Sequence, residues 1–210
     1  CRLRFYLRHV VKIREADEVE EDLDARVLGN FLHEVIELFY KQILERKRSK
    51  LIEADDLTGS ETEIEKLIDE VFVRSYRLDP GKKVQYEGQR LVVREIVKRF
   101  AGKIVEMDRL YAPFYMEALE QEGLVHAIKL EGSQRSVLIS GKIDRVDRKD
   151  RKLRVIDYKT GKDELDFDNI PSLFSREGKR NKAAFQTLLY ALLYKSNTEW
   201  KGFSIVPGLI

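Results

Sequence analysis

The stretch LISGKIDRVDRKDRKLRVIDYKTGK, residues 138–162, reads as two strands around the charged turn RKDRK. In the second strand Leu153, Val155, Asp157 and Lys159 share one face, and Arg154, Ile156, Tyr158 and Thr160 share the other. Apolar residues on both sides predict a central strand covered above and below. Asp157 and Lys159 then stand together near its end, and Asp144 interrupts the preceding strand in the same way. Ionised groups on a buried strand are costly unless a partner charge or a metal ion compensates them. Two chemistries fit: a structural ion pair between Asp157 and Lys159, or a metal-ligating carboxylate beside a catalytic lysine. Asp144 shifts the balance, because a hairpin turn brings it alongside Asp157 from 13 positions upstream. Two converging carboxylates repel each other unless a cation sits between them. Mg2+ suits such a site, since it uses one or two carboxylates together with water and phosphate oxygens. A divalent ion polarises a phosphoryl oxygen and lowers the pKa of its water, and a neighbouring ammonium stabilises the charge that develops. Together these groups can hydrolyse a phosphodiester.

The elements that must position this set are legible upstream and downstream. Residues 24–48 read as a long helix, with Leu28, Phe31, Leu32, Val35, Leu38, Phe39 and Ile43 at helical spacing. LIEADDLTG breaks it, and Ser60-Glu61-Thr62-Glu63 has the form of a capping box opening a second helix through about Tyr76. DPGKK at 79–83 is a turn, and 85–111 predicts a third helix on Leu91, Val92, Ile96, Val97, Phe100, Ile104 and Leu110. After Pro113 the pattern becomes that of strands, at about 114–121, 124–131, 136–147 and 152–159. A fourth helix is expected over 181–195 on Phe185, Leu188, Leu189, Leu192 and Leu193, with a last strand near 201–206. Helices first, then a mixed sheet carrying a further helix, predict an α/β or α+β sandwich. Residues 1–112 form the helical region and 113–210 the catalytic sheet, together one domain expected to be cut from a longer chain.

Composition excludes several classes. With 210 residues, 43% hydrophobic and 36% charged, the chain can bury a core without a disulfide framework. No apolar run approaches a membrane span of about 20 residues, and no membrane partner is expected. A single cysteine agrees with a reducing compartment, so the expected location is cytoplasmic. The net charge of +2 neither demands nor excludes nucleic acid, and clustering matters more. Two basic clusters exist: Arg2, Arg4, Arg8, Lys12 and Arg14, and SREGKRNK at 175–182. Each is equally readable as solvated surface.

GKIDRVD followed by RVIDYKTG resembles the active-site signature of the PD-(D/E)XK nuclease superfamily. More narrowly it is similar to the RecB-type nuclease domains of bacterial helicase–nucleases. LGNFLHEVIELF resembles that family's N-terminal helical motif, QTLLYALLY its Gln-x-x-x-Tyr helix, and FYLRHV the segment that often opens such domains. The matches run in family order over nearly the whole chain.

The resemblance implies a restriction-endonuclease-like core, a central mixed sheet flanked by helices. It implies metal ligation by Asp144 and Asp157, with the Tyr158 backbone carbonyl as a further oxygen and Lys159 activating the water. His33, which alone would read as an ordinary helix histidine, becomes a metal ligand. Gly29, one turn earlier, would let a backbone or the substrate approach. A strand acid commonly joins this site: of Glu117, Glu120 and Glu122, Glu120 is preferred because an acid just before a glutamine fits the pattern, with Glu117 in reserve. Glu37, one turn after His33, reads as a solvated or structural partner of that histidine. Gln186 and Tyr190, four apart on one helix face, would contact the phosphate backbone or brace the catalytic strand. Taken alone, they read as a surface glutamine and a core tyrosine. Lys179, Arg180 and Lys182 are the candidate DNA contacts.

The expected function is therefore a Mg2+- or Mn2+-dependent deoxyribonuclease, an exonuclease working on DNA beside a helicase in recombination or break repair. A catalytically inactive DNA-binding or scaffolding module and a small-molecule metal phosphoesterase are the competing classes. Many close relatives hold an iron–sulfur cluster, which needs about four thiolates. Cys1 could supply one, so no cluster is expected from these residues.

Overall fold

The computed structural model describes residues 2–11, 25–130, 132, 134–161, 166–175 and 180–210. Cys1, Lys12, Arg14 and Lys179 lie outside the described residues. A short turn, α1 (Arg2–Phe5), precedes the long α2 (Ala25–Lys47). The apolar stripe foreseen for α2 is buried as Phe31, Leu32, Val35, Phe39 and Ile43, and Ile36 and Tyr40 extend it.

The LIEADDLTG break contains two small elements, the strand β1 (Leu51–Ile52) and the helix α3 (Ala54–Leu57). The capping box forms there instead of at Ser60: Glu53 and Asp56 close reciprocal hydrogen bonds over α3. Ser60 precedes α4 (Glu61–Ser75) with helical backbone angles and makes no side-chain cap bond, because that conformation turns its hydroxyl away from the N3 amide. The third helix, α5 (Gln89–Tyr111), starts later than its periodicity suggests and packs on a differently phased face. Val93, Val97, Ala101, Ile104 and Val105 are buried, whereas Leu91, Val92 and Leu110 are exposed.

Among the described residues the sheet has five strands in the order β1-β2-β3-β4-β5. The segment read as two strands after Pro113 is one, β2 (Phe114–Lys129), carrying two register shifts against β3 (Ser136–Lys149). These bulges accommodate the irregular spacing that looked like a strand break. β3 turns directly into antiparallel β4 (Lys152–Asp157). The chain then crosses through α6 (Lys182–Asn197) to β5 (Ser204–Leu209), which adds parallel to β4. On α6 the buried positions are Ala183, Ala184, Thr187, Leu193 and Tyr194, while Leu192 is exposed. Its packed face is thus rotated from the one its leucines suggest.

Strand β4 is covered on both sides, as its composition requires. Ile156 and Tyr158 join the core made by α2, α4 and α5, and Leu153 and Val155 join a second core under α6. The α2/α5 side also buries charge. Arg145, Asp108 and Asp147 are at most 1% exposed. Arg145 donates to Asp108 through Nη1 and Nη2 at 2.5 and 3.0 Å, and to Asp147 at 2.7 Å. Arg154 donates twice to Asp147, at 2.8 and 2.7 Å, and lies 3.4 Å over the Tyr111 ring.

Candidate metal and catalytic site

Strand register brings three carboxylates into one row. Leu119 pairs with Arg145 and Gln121 with Ile143, so Glu120 stands opposite Asp144. Arg145 pairs with Ile156, so one residue further on Asp144 stands opposite Asp157. Opposed residues on adjacent strands point to the same face, where like charges destabilise. Glu120 also has a positive φ of 47°, a left-handed conformation that is uncommon for a residue with a Cβ. It lies immediately before the second register shift of β2, which re-aims its side chain.

Helix α2 delivers the imidazole to this row. His33 Nδ1 lies 3.4 Å from Glu120 Oε1 and 3.5 Å from Asp144 Oδ1, and its Nε2 is 3.2 Å from the Tyr158 carbonyl. A carbonyl only accepts, so Nε2 carries the hydrogen and the second nitrogen faces two carboxylates. In a neutral imidazole that would set a lone pair against two anionic acceptors. Either a proton on Nδ1 or a cation between the three groups resolves this conflict. Metal-ligating histidines commonly donate their other N–H to a backbone carbonyl in this way. Donor atoms of His33, Glu120 and Asp144 all lie within 4.8 Å of one another, close enough to share one ion.

Protonation behaviour follows from this crowding. Burial, aided by the charges of Asp157 and Glu120, raises the Asp144 carboxyl to about 6, against His33 and the Tyr158 amide. Burial works against a charged His33, yet Glu120 and Asp144 together lift its pKa above the ordinary value. Burial would raise Glu120, but contacts with His33 and Lys142 lower it. Lys142 Nζ is 2.7 Å from Glu120 Oε2 and was not anticipated. Its position two residues before Asp144, on a strand paired with β2, was the available signal.

The other expected residues divide clearly. Asp144 Oδ2 accepts the Tyr158 N–H at 2.8 Å. Asp157 Oδ2 is 2.6 Å from Lys159 Nζ, and its Oδ1 accepts from Gln186 Nε2 at 3.2 Å. Asp157 is therefore in the carboxylate row but outside the group of three that could share an ion. The Tyr158 carbonyl, expected as a ligand, here orients His33; ligation would use its second lone pair. Gln186 also accepts from Lys159 at 3.2 Å and donates to the Tyr190 hydroxyl at 2.7 Å. Neither a surface glutamine nor a simple core tyrosine describes this pair.

Gly141 makes the arrangement possible: a Cβ there would lie 2.8 Å from Tyr190 Cε1 and 3.1 Å from Leu193 Cδ1. Gly29 imposes no such demand, since a Cβ would meet Thr160 Oγ1 at an ordinary 3.7 Å. No backbone packs closely on Gly29; the tight packing within the chain is at Gly141. Glu117 binds Arg148 at 2.7 Å and Lys50 at 3.3 Å, away from His33. Glu122 lies 3.6 Å from Lys142, and Glu37 pairs with Lys41 at 2.6 Å rather than with His33. Arg180 and Lys182 flank the start of α6, with Arg180 5.9 Å over the Phe185 ring. The β5 tail continues its ladder past β4 here: Lys159 N–H donates to the Ile210 carbonyl at 2.8 Å, and Ile210 N–H to that of Asp157 at 3.1 Å.

Comparison with known proteins bears on the family. The sequence profile of the PD-(D/E)XK nuclease superfamily matches residues 1–206. Over 222 aligned residues the chain is 26% identical to the B chain of the ATP-dependent helicase/deoxyribonuclease of Carboxydothermus hydrogenoformans. That alignment covers 99% of this chain and 18% of the relative. No helix among the described residues is long and apolar enough to cross a membrane.

Proposed function

The chain belongs to the PD-(D/E)XK nuclease superfamily, and from that membership we propose that it is a Mg2+- or Mn2+-dependent deoxyribonuclease hydrolysing DNA phosphodiester bonds. It acts as an exonuclease beside a helicase, in recombination or double-strand-break repair. The name of the Carboxydothermus relative, which joins helicase and deoxyribonuclease, supports that setting. The observation that carries the reading is the convergence of His33, Glu120 and Asp144 within 4.8 Å.

The donor set fits a hard divalent ion, and the imidazole makes Mn2+ acceptable as well as Mg2+. His33, Glu120 and Asp144 would hold it, with Asp157 as a further carboxylate of the same row. Bound there, the ion polarises a phosphoryl oxygen and lowers the pKa of its water. Lys159 orients the attacking water and stabilises charge developing on the phosphate. Gln186 grips Lys159 with its oxygen and Asp157 with its nitrogen, so it sets the spacing between ammonium and carboxylate. The Tyr190 hydroxyl takes a hydrogen from the same Gln186 amide nitrogen and fixes which way the amide points. Arg180 and Lys182, with Lys179, bind backbone phosphates.

Digestion of linear single- and double-stranded DNA with Mg2+ or Mn2+ tests this. Wild type digests DNA and Asp144→Ala falls by about 100-fold or more; equal digestion by both overturns it. One contact favours a second reading, a DNA-binding scaffold without catalysis. The 2.6 Å Asp157–Lys159 pair is also what a purely structural ion pair looks like. A scaffold would leave DNA intact under either metal.

A further inference from the structure

The buried charge network behind the sheet has no role in the chemistry just described, yet it touches the elements that carry it. Its members come from α2 (Tyr40), α5 (Asp108), β3 (Arg145, Asp147) and the β4 segment (Arg154, Tyr158). Tyr40 donates to Asp108, and Arg145 donates to the Tyr158 hydroxyl at 3.2 Å. Three of these elements present the candidate ligands: α2 carries His33, β3 carries Asp144, and β4 leads into Asp157 and Tyr158. Tyr40 is two helical turns after His33, and Arg145 directly follows Asp144.

Tyr158 is the link between the two sides. Its hydroxyl is held by Arg145, its N–H donates to Asp144 Oδ2, and its carbonyl receives His33 Nε2–H. Moving the ring would move both backbone groups, and with them the imidazole and a carboxylate. The network itself has little freedom. Both oxygens of Asp108 and both of Asp147 accept hydrogen bonds, and Arg145 uses both terminal nitrogens.

Buried ion networks of this kind are seldom more stabilising than an apolar core of equal volume, so stability alone does not account for one. We infer that Arg145, acting through the Tyr158 hydroxyl, is a positioning residue that fixes the distance between His33 and Asp144 and so tunes metal affinity. This rests on the metal-site reading above. Removing the hydroxyl with Tyr158→Phe leaves the backbone donor and acceptor in place but cuts their anchor.

The test is Mn2+ binding to the purified chain, followed by electron paramagnetic resonance of free Mn2+ well below the melting temperature and without DNA. Tyr158→Phe raises the Mn2+ Kd about 10-fold, the lower end of what outer hydrogen-bond partners of ligands contribute. Val97→Ala, buried on α5 away from the network, lowers the melting temperature and leaves Kd unchanged. An unchanged Kd in folded Tyr158→Phe overturns the inference, as does an equal Kd shift in Val97→Ala. If Tyr158→Phe does not fold, Tyr40→Phe carries the test, with a several-fold rise expected and no change overturning. Wild type that binds no Mn2+ overturns the metal-site reading and this inference together, whereas wild-type binding with an indifferent variant removes the inference alone.

Discussion

The two faces of the β3–β4 hairpin bury charge in opposite states of compensation. On the α2/α5 face, two arginines meet two aspartates, and every carboxylate oxygen has a donor. On the other, Glu120, Asp144 and Asp157 form a row whose nearby cations are the half-exposed Lys142, Lys159 and an imidazole turned the wrong way to be neutral. The first arrangement leaves no carboxylate unanswered. The second is short of positive charge at its centre, and Asp144 registers this by holding its proton up to about pH 6. The difference separates a framework from a site: one set of buried charges is closed on itself, and the other is open to a cation.

Breaking each side should have opposite consequences. The largest effect is expected from Arg145→Met, which takes the shared guanidinium from two buried carboxylates and costs about 3–5 kcal/mol. A fall in melting temperature of about 10 °C follows for a domain of this size; a change of only a degree or two would mean the network is not closed as described. Next, Lys159→Met lowers cleavage by about 10²–10³-fold in steady-state digestion below its melting temperature, which also falls because the buried Asp157 loses its ammonium partner. Equal activity would remove Lys159 from the chemistry.

Asp144→Asn sharpens the comparison because its sign is reversed. The folded carboxyl is raised from 3.8 to about 6, so its penalty is absent below about pH 3.8, grows through that interval and is complete above about pH 6. Without metal at pH 8 the asparagine variant is therefore more stable, by at most about 3 kcal/mol on linkage. Thermal melts showing it less stable would contradict this. The smallest effect concerns Arg180→Ala with Lys182→Ala. DNA binding weakens, and the slope of log K against log salt flattens by roughly one for each phosphate no longer neutralised. An unchanged slope would leave that end of α6 as ordinary surface.

Much of the site was legible because β-strand alternation is rigid. A strand with apolar residues on both faces and Asp157, Lys159 and Asp144 near the ends of a hairpin has few other uses, and the register delivered the row. Glu120 was preferred to Glu117 only through the resemblance, as an acid just before a glutamine; the bulges of β2 that separate the two follow no spacing rule. The ion network was missed although Arg145, Asp147 and Arg154 alternate with core residues in the same hairpin. Its remaining members, Asp108 and Tyr40, come from distant helices where a lone polar residue on an apolar face carries no local signal. The phases of α5 and α6 were misjudged for a related reason. Leucines mark a helix but not which side meets a partner, and small residues such as Ala101, Ala183 and Ala184 sit at the close contacts.

Thermal melts with Mn2+ across pH, for wild type, Asp144→Asn and His33→Ala, test the metal site most directly. A cation held by His33, Glu120 and Asp144 competes with protons there. Wild type should gain melting temperature with Mn2+ at pH 7.5 to 8, lose that gain as pH falls through about 6, and both variants should lack it. The same Mn2+ gain in all three proteins, or none in wild type, would contradict the claim that this row of carboxylates is built around a metal ion.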